Sequence, residues 1–236
     1  MHKTQSCLRF LLSVNCLSGG KVMIRPTRLV SAVCFLALTA CAATTTGSGG
    51  MAVPIATRSS VQLHDAMRKL WSDHVFWTRL YIIEAASNNP AAQTTAARLL
   101  RNQDDIGNAV ASYYGAAAGS KLADLLKQHI NIAVDLVSAA KAGDNARVAD
   151  ADRRWHANAD DIATFLSGAN PNWPKATLLG MLNQHLALTT QEATARLQGR
   201  FSDDDAAFDS IYNQAIGMAD ALSDGIVKQF PGRFVG

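Results

Sequence analysis

Three eight-residue stretches decide the fold: LWSDHVFW at 70–77, LLKQHINI at 125–132 and MLNQHLAL at 181–188, which align without a gap. Each carries a histidine at the same place, so His74, His129 and His185 recur at separations of 55 and 56 residues. Apolar residues flank each histidine in steps of three and four: Met67, Leu70, His74, Trp77, Tyr81; Leu122, Leu125, His129, Ile132, Leu136; and Leu178, Met181, His185, Leu188, Glu192. Such steps return to one face of an α-helix. The spacing therefore predicts three helices that each hold an imidazole in the middle of a core seam.

The segments that follow repeat as well. LLRNQDDIGNAV (99–110), WHANADDIATFL (155–166) and IYNQAIGMADAL (211–222) align so that Asn102, Asn158 and Gln214 correspond, each 56 residues from the last. Each amide sits between apolar residues of a seam: Leu99 and Ile106, Trp155 and Ile162, Ile211 and Met218. Helix-end signals divide the chain near 60–87, 90–115, 120–142, 144–168, 174–199 and 203–229. They are Asn89-Pro90, Gly119-Ser120, Gly143-Asp144, Trp173-Pro174, and Ser202 with Asp205 as a relaxed capping box. No strand pattern competes. The expected fold is all-α: a six-helix antiparallel bundle built from three tandem helical hairpins of about 56 residues, closed rather than open, because three uncapped repeats would expose both end faces.

Distance along the helices sets the level of the polar residues. His74 precedes the first hairpin tip by about 14 residues and Asn102 follows it by about 14, so at roughly 1.5 Å per residue both lie about 21 Å from the tip. The other two hairpins give nearly the same offsets. Three imidazoles and three amides are therefore expected in one layer of the core. Asp105 and Asp161 follow their asparagines by one turn and are expected to border it, whereas Gly217 fills that place in the third hairpin.

The amino terminus reads differently. From Met23 the order MIRPTR, LVSAVCFLAL, LTAC is basic, then apolar, then small, the order of a secretory signal. It resembles a bacterial lipoprotein signal, which would make Cys41 the acylated residue. An ordinary cleaved signal or a short membrane anchor is the alternative, although about ten apolar residues fall short of the roughly 20 that span a bilayer. Residues 1–22 show no domain pattern and read as an extension ahead of a second start at Met23. Residues 23–40 are then the signal peptide, 41–58 a Gly/Thr-rich flexible tether, and 59–236 the helical domain. Ala42 is not the aspartate that resembles an inner-membrane retention signal. An exported, membrane-anchored lipoprotein on the outer-membrane or periplasmic side is expected.

All four cysteines (Cys7, Cys16, Cys34, Cys41) lie at or before the predicted acylation site, so the helical domain has no thiol and no disulfide framework. Residues 1–40 hold five of the 22 Lys and Arg residues and none of the 19 Asp and Glu residues, which leaves 17 basic against 19 acidic residues beyond them. That balance gives nucleic-acid binding no support. GSGG at 47–50 lies in the tether, and YYGAAAGSK at 113–121 has Ser120 before its lysine rather than after, so no phosphate loop is present and no nucleotide partner is expected.

Six buried polar side chains need hydrogen-bond partners, at a cost of roughly 1–3 kcal/mol for each left unpaired. One reading is architectural: a satisfied polar layer that fixes register among similar hairpins, in a structural or protein-interaction domain. Another is a binding module with a transition-metal site, in which His74, His129 and His185, with Asp105 or Asp161 or a water, hold zinc, iron, manganese or copper, and Asn102, Asn158 and Gln214 orient the rings. No Glu-x-x-His pair or His-x-x-x-His on one helix supports it, so that site depends on tertiary closure. A third reading is a hydrolase-like enzyme using a His/Asp pair as general base, or a small organic ligand at the same level. No serine or cysteine elbow accompanies it. His156 and His64 fall off the seams and read as surface residues, and Trp71, Trp77 and Tyr81 as core packing.

LWSDHVFWTRLYI, LLRNQDDIGNA, NADDIATFLSGANPNWP and MADALSDGIVKQFP together resemble a family of exported bacterial all-helical proteins of unknown function, over about residues 66–232. Labels such as glycosyltransferase or acetylglutamate kinase attach to some members, and no motif here supports either. The resemblance implies a helical fold and export, and supplies no catalytic residues.

Overall fold

Local chemistry starts and stops each helix. The computed structural model describes residues 56–235, and these form six α-helices: α1 (Arg58–Ala86), α2 (Ala92–Tyr114), α3 (Ala116–Ala142), α4 (Asn145–Ala169), α5 (Lys175–Leu197) and α6 (Phe201–Gln229), followed by a 3-10 turn at Pro231–Arg233. Thr57 caps α1 by accepting from the backbone N–H of Ser60 at 3.3 Å. Gly143 ends α3 in the left-handed region at φ 70°, and the Asp144 carboxylate then caps α4 by accepting from the Arg147 N–H at 3.0 Å. The predicted signal at 23–40, the extension at 1–22, most of the tether and Cys41 lie outside the described residues. No described helix is long and apolar enough to cross a membrane.

Three expected helix ends fall elsewhere, the first at α2, which begins at Ala92 while Asn89 Oδ1 accepts from the Ala91 N–H at 2.9 Å ahead of the helix. The break between α2 and α3 is at Gly115, whose φ of 88° suits glycine, and not at Gly119-Ser120, which lies inside α3. Gly119 serves close approach instead: a Cβ there would stand 2.5 Å from the carbonyl oxygen of Gly107, so this pair lets α2 and α3 pack backbone to backbone. At α6 the helix begins at Phe201 with no side-chain cap. Ser202 and Asp205 therefore do not form a capping box there, and Asp205 instead accepts from Arg79 Nη2 at 2.5 Å.

Each helix packs against the next, α6 packs back on α1, and α1, α3 and α5 also touch one another. The histidine-bearing helices thus meet in the interior. Met67, Trp71, Leu126, Trp155, Ile162 and Met218 belong to one continuous apolar core around them. Trp173, in the loop before α5, closes one end of that core against Gly225 of α6, where any Cβ would overlap the indole. Gly225→Ala is expected to cost about 1–3 kcal/mol by overpacking. A lowered urea midpoint with an unchanged denaturant slope is the expected observation.

Candidate functional site

The three histidines come from α1, α3 and α5, and all are buried, at 2–3% exposure. His185 neighbours both others: its ring centre stands 5.6 Å from that of His74 and 6.2 Å from that of His129. Trp71 packs on His74 at 5.5 Å and Trp155 on His129 at 5.1 Å, so indole walls replace water around two of the rings.

Each ring is tied through Nδ1 to an amide 29 residues further on. His129 Nδ1 donates to Asn158 Oδ1 at 2.9 Å, and His185 Nδ1 donates to Gln214 Oε1 at 3.2 Å. The amide nitrogens of these residues turn back to the helix that carries the histidine, donating to the carbonyls of Leu125 and Met181 at 3.1 and 2.9 Å. Asn102 makes the equivalent bond to Leu70 O at 3.1 Å. In all three places the carbonyl belongs to the residue four before the histidine. This clamp fixes both the height and the rotation of each ring.

The first unit departs from the pattern at the ring itself. Gln103, not Asn102, reaches His74, with its Nε2 at 3.3 Å from His74 Nδ1 and also donating to Leu99 O at 2.8 Å and Asn102 Oδ1 at 3.2 Å. Two carbonyl acceptors fix that nitrogen as the amide donor, so His74 Nδ1 faces a donor and its proton belongs on Nε2. Gln103 Oε1 is left buried without a partner. His129 and His185, by contrast, carry Nδ1–H and keep a lone pair on Nε2. None of the hydrogen bonds of the three rings uses Nε2. Gln103 escaped the repeat alignment, which matched Asn102; the separation of 29 residues from the histidine, shared with Asn158 and Gln214, was the available signal.

The electrostatics keep all three rings neutral. Burial drives His74 well below the ordinary imidazole range, with His185 and His129 adding repulsion. Burial likewise brings His129 down to about 3 and His185 to about 4. A neutral imidazole is the form that ligates a metal.

Asp105 and Asp161 do not join the layer. Asp105 is half exposed, 3.9 Å from Arg98, and Asp161 is at the surface. Both stand three residues after their asparagines, whereas the seam continues at the fourth, Ile106 and Ile162, which are buried. Among the described residues no group of three or more His, Cys, Asp and Glu side chains is placed to hold a metal ion, and His74, His129 and His185 as a trio are no exception. His156 is exposed, and His64 lies at the margin against Asp224. Trp77 is half-buried beneath Arg98 rather than fully in the core.

Space near the rings is small. Two wholly apolar cavities of about 20 Å³ each lie to either side of the layer in helical register, one bounded by Met67, Trp71, Leu182 and Met218, the other by Thr78, Ile82, Leu99 and Thr189. Pockets for organic ligands run to roughly 300–1,000 Å³. Neither cavity is lined by a histidine, and both are far smaller than an organic ligand needs.

A second buried polar group stands apart from the histidines. Arg79 donates from Nη1 to Glu192 Oε1 at 2.9 Å and to Asp204 Oδ1 at 2.8 Å, and Arg196 adds a contact to Asp204 at 3.3 Å. Glu192 and Asp204 are 1% exposed. Burial pushes the Glu192 carboxyl up to about 7, against the opposing pull of Arg79.

Compared with known proteins, the chain matches no family model, no curated protein and no solved structure.

Proposed function

We propose that this chain is a metal-binding module whose histidine layer takes a transition-metal ion through imidazole Nε2 atoms, with Asn158 and Gln214 orienting the rings of His129 and His185 from outside. The observation that carries this reading is that Nδ1–H of His129 and of His185 donates to an amide oxygen, which leaves their Nε2 atoms with lone pairs. Ligating histidines are held in this way by the partner of their other nitrogen. With Asp105 and Asp161 at the surface, the hydrolase reading loses the His/Asp pair on which it rested.

The same proposal takes the six helices as three tandem antiparallel hairpins, each supplying one histidine and its amide clamp. The chain is exported and held on a membrane by an acyl group at Cys41, a reading supported by the order of basic, apolar and small residues that ends in LTAC. The architectural reading stays in view because of one feature. The amide-to-carbonyl bond recurs at Leu70, Leu125 and Met181, which would fix register with or without an ion.

Thermal unfolding with and without added ion separates the two. Binding to the native state alone at 100 times the dissociation constant adds about 2.7 kcal/mol, so the melting temperature should rise by several degrees. His129→Gln or His185→Gln should abolish that rise, and His156→Gln should leave it intact. No rise with zinc, copper, iron or manganese would leave the layer as architecture.

A further inference from the structure

Resting on the proposal that the layer binds an ion, the geometry points to a cuprous ion as the cargo, held in low coordination chiefly by His129 and His185. Three observations converge on this: ring spacing, tautomers and charge.

An ion bound by Nε2 stands about 3.2 Å from the ring centre, so two ligating rings are about 5.2 Å apart at a tetrahedral angle, about 5.5 Å at a trigonal one and about 6.4 Å in line. The observed separations are 5.6 Å for His74 and His185 and 6.2 Å for His129 and His185. Both lie within the span from bent to linear coordination. Zinc in protein sites is nearly always four-coordinate, whereas manganese and iron take more ligands still.

The tautomers rank the ligands. Asn158 Oδ1 and Gln214 Oε1 accept from Nδ1–H, which leaves Nε2 of His129 and His185 as lone-pair donors without rearrangement. His74 faces the amide nitrogen of Gln103 and carries its proton on Nε2. To ligate, it must move that proton to Nδ1 and turn the Gln103 amide, breaking the bonds to Leu99 O and Asn102 Oδ1. His74 is therefore the weak third ligand.

Charge then selects the oxidation state. The layer has neutral imidazoles, indole neighbours and no carboxylate, since Asp105 and Asp161 are at the surface. The desolvation cost of an ion grows as the square of its charge, so a divalent ion meets about four times the penalty of a monovalent one with no anion to offset it. Copper is the ion among the four candidates with an accessible monovalent state.

The test is an anaerobic titration of the full-length chain, with Cys7, Cys16, Cys34 and Cys41 replaced by serine so that no thiolate competes, with Cu(I) kept reduced by excess ascorbate, against a chromogenic cuprous chelator, paired with a Zn(II) titration in a second chelator. The expected result is one Cu(I) per chain, bound on the order of 1,000-fold more tightly than Zn(II). X-ray absorption of the loaded wild-type protein should show two or three nitrogen neighbours, a readout that needs no variant. His129→Gln and His185→Gln should each weaken Cu(I) on the order of 1,000-fold, and His74→Gln by about tenfold or less, with folding checked by circular dichroism. Zinc bound as tightly as Cu(I), or four nitrogen and oxygen neighbours around copper, overturns the cuprous assignment while leaving metal binding in place. Binding of neither ion overturns the metal reading itself.

Discussion

Lowering the pH from 7 to 5 is expected to remove at least about 2 kcal/mol of folding stability, a sizeable part of the 5–15 kcal/mol typical of a whole domain. The cause is the histidine layer. In the unfolded chain each imidazole takes a proton near 6.5, whereas in the fold His129 and His185 hold out to about 3 and about 4, and His74 also lies well below the ordinary range. Between those values the unfolded state binds protons that the folded state refuses, so stability is complete above about 6.5 and falls as the pH drops. At pH 5 His129 and His185 each cost about 2 kcal/mol, about 4 together, and His74 adds to the loss in the same direction. Glu192 acts in the opposite sense. Its carboxyl, pushed up to about 7, takes a proton in the fold that the unfolded chain does not take until near 4.5, and it returns about 2 kcal/mol over the same interval. Urea unfolding at the two pH values measures the difference. A midpoint that is unchanged or higher at pH 5 would contradict neutral burial of the rings.

Arg79→Met is expected to cost about 3–5 kcal/mol, because it leaves Glu192 and Asp204 buried without their principal cation. Both carboxylates are 1% exposed, and Arg79 is the residue that contacts both. Its guanidinium also lies over the Phe208 ring at 4.7 Å, a contact that methionine only partly replaces. Arg196 remains beside Asp204, and Glu192 can take up a proton, so the loss is bounded rather than open-ended. Adding Glu192→Gln to Arg79→Met should recover part of the stability, since a neutral amide costs less to bury than an unpaired carboxylate. Urea midpoints of the single and double variants at pH 7.5 check both statements. A loss below about 1 kcal/mol for Arg79→Met would mean that water, and not the guanidinium, compensates these carboxylates.

The helices and their seams were legible because the information is local and repeated. A polar residue inside an apolar three-and-four pattern is conspicuous once, and three aligned instances make it an architectural position. Gly143-Asp144 was readable for the same reason, as a left-handed stop followed by a carboxylate cap needs only its neighbours. Gly115 and Gly119 were harder to tell apart, since either glycine suits a break. The approach of α2 to α3 at Gly107 decides between them, and that is a tertiary fact. Asp105 and Asp161 were placed one turn from the amides, but three residues on an α-helix fall short of a full turn by about 60°. The fourth residue continues the seam and the third turns outward. Gln103 was hidden for a related reason: α2 buries both Asn102 and Gln103, so a single-register alignment found one amide where the helix uses two. The Arg79 cluster joins α1, α5 and α6, and in the sequence only Glu192 at a seam position hinted at it.

Long-range proton–nitrogen NMR of the histidine rings, recorded on the metal-free chain at pH 7, tests the central claim most directly, because it reads which ring nitrogen carries a proton. The account predicts three neutral buried imidazoles, with His129 and His185 protonated on Nδ1 and bare on Nε2, and His74 protonated on Nε2. An imidazolium among the three, or Nε2–H on His129 or His185, would contradict it.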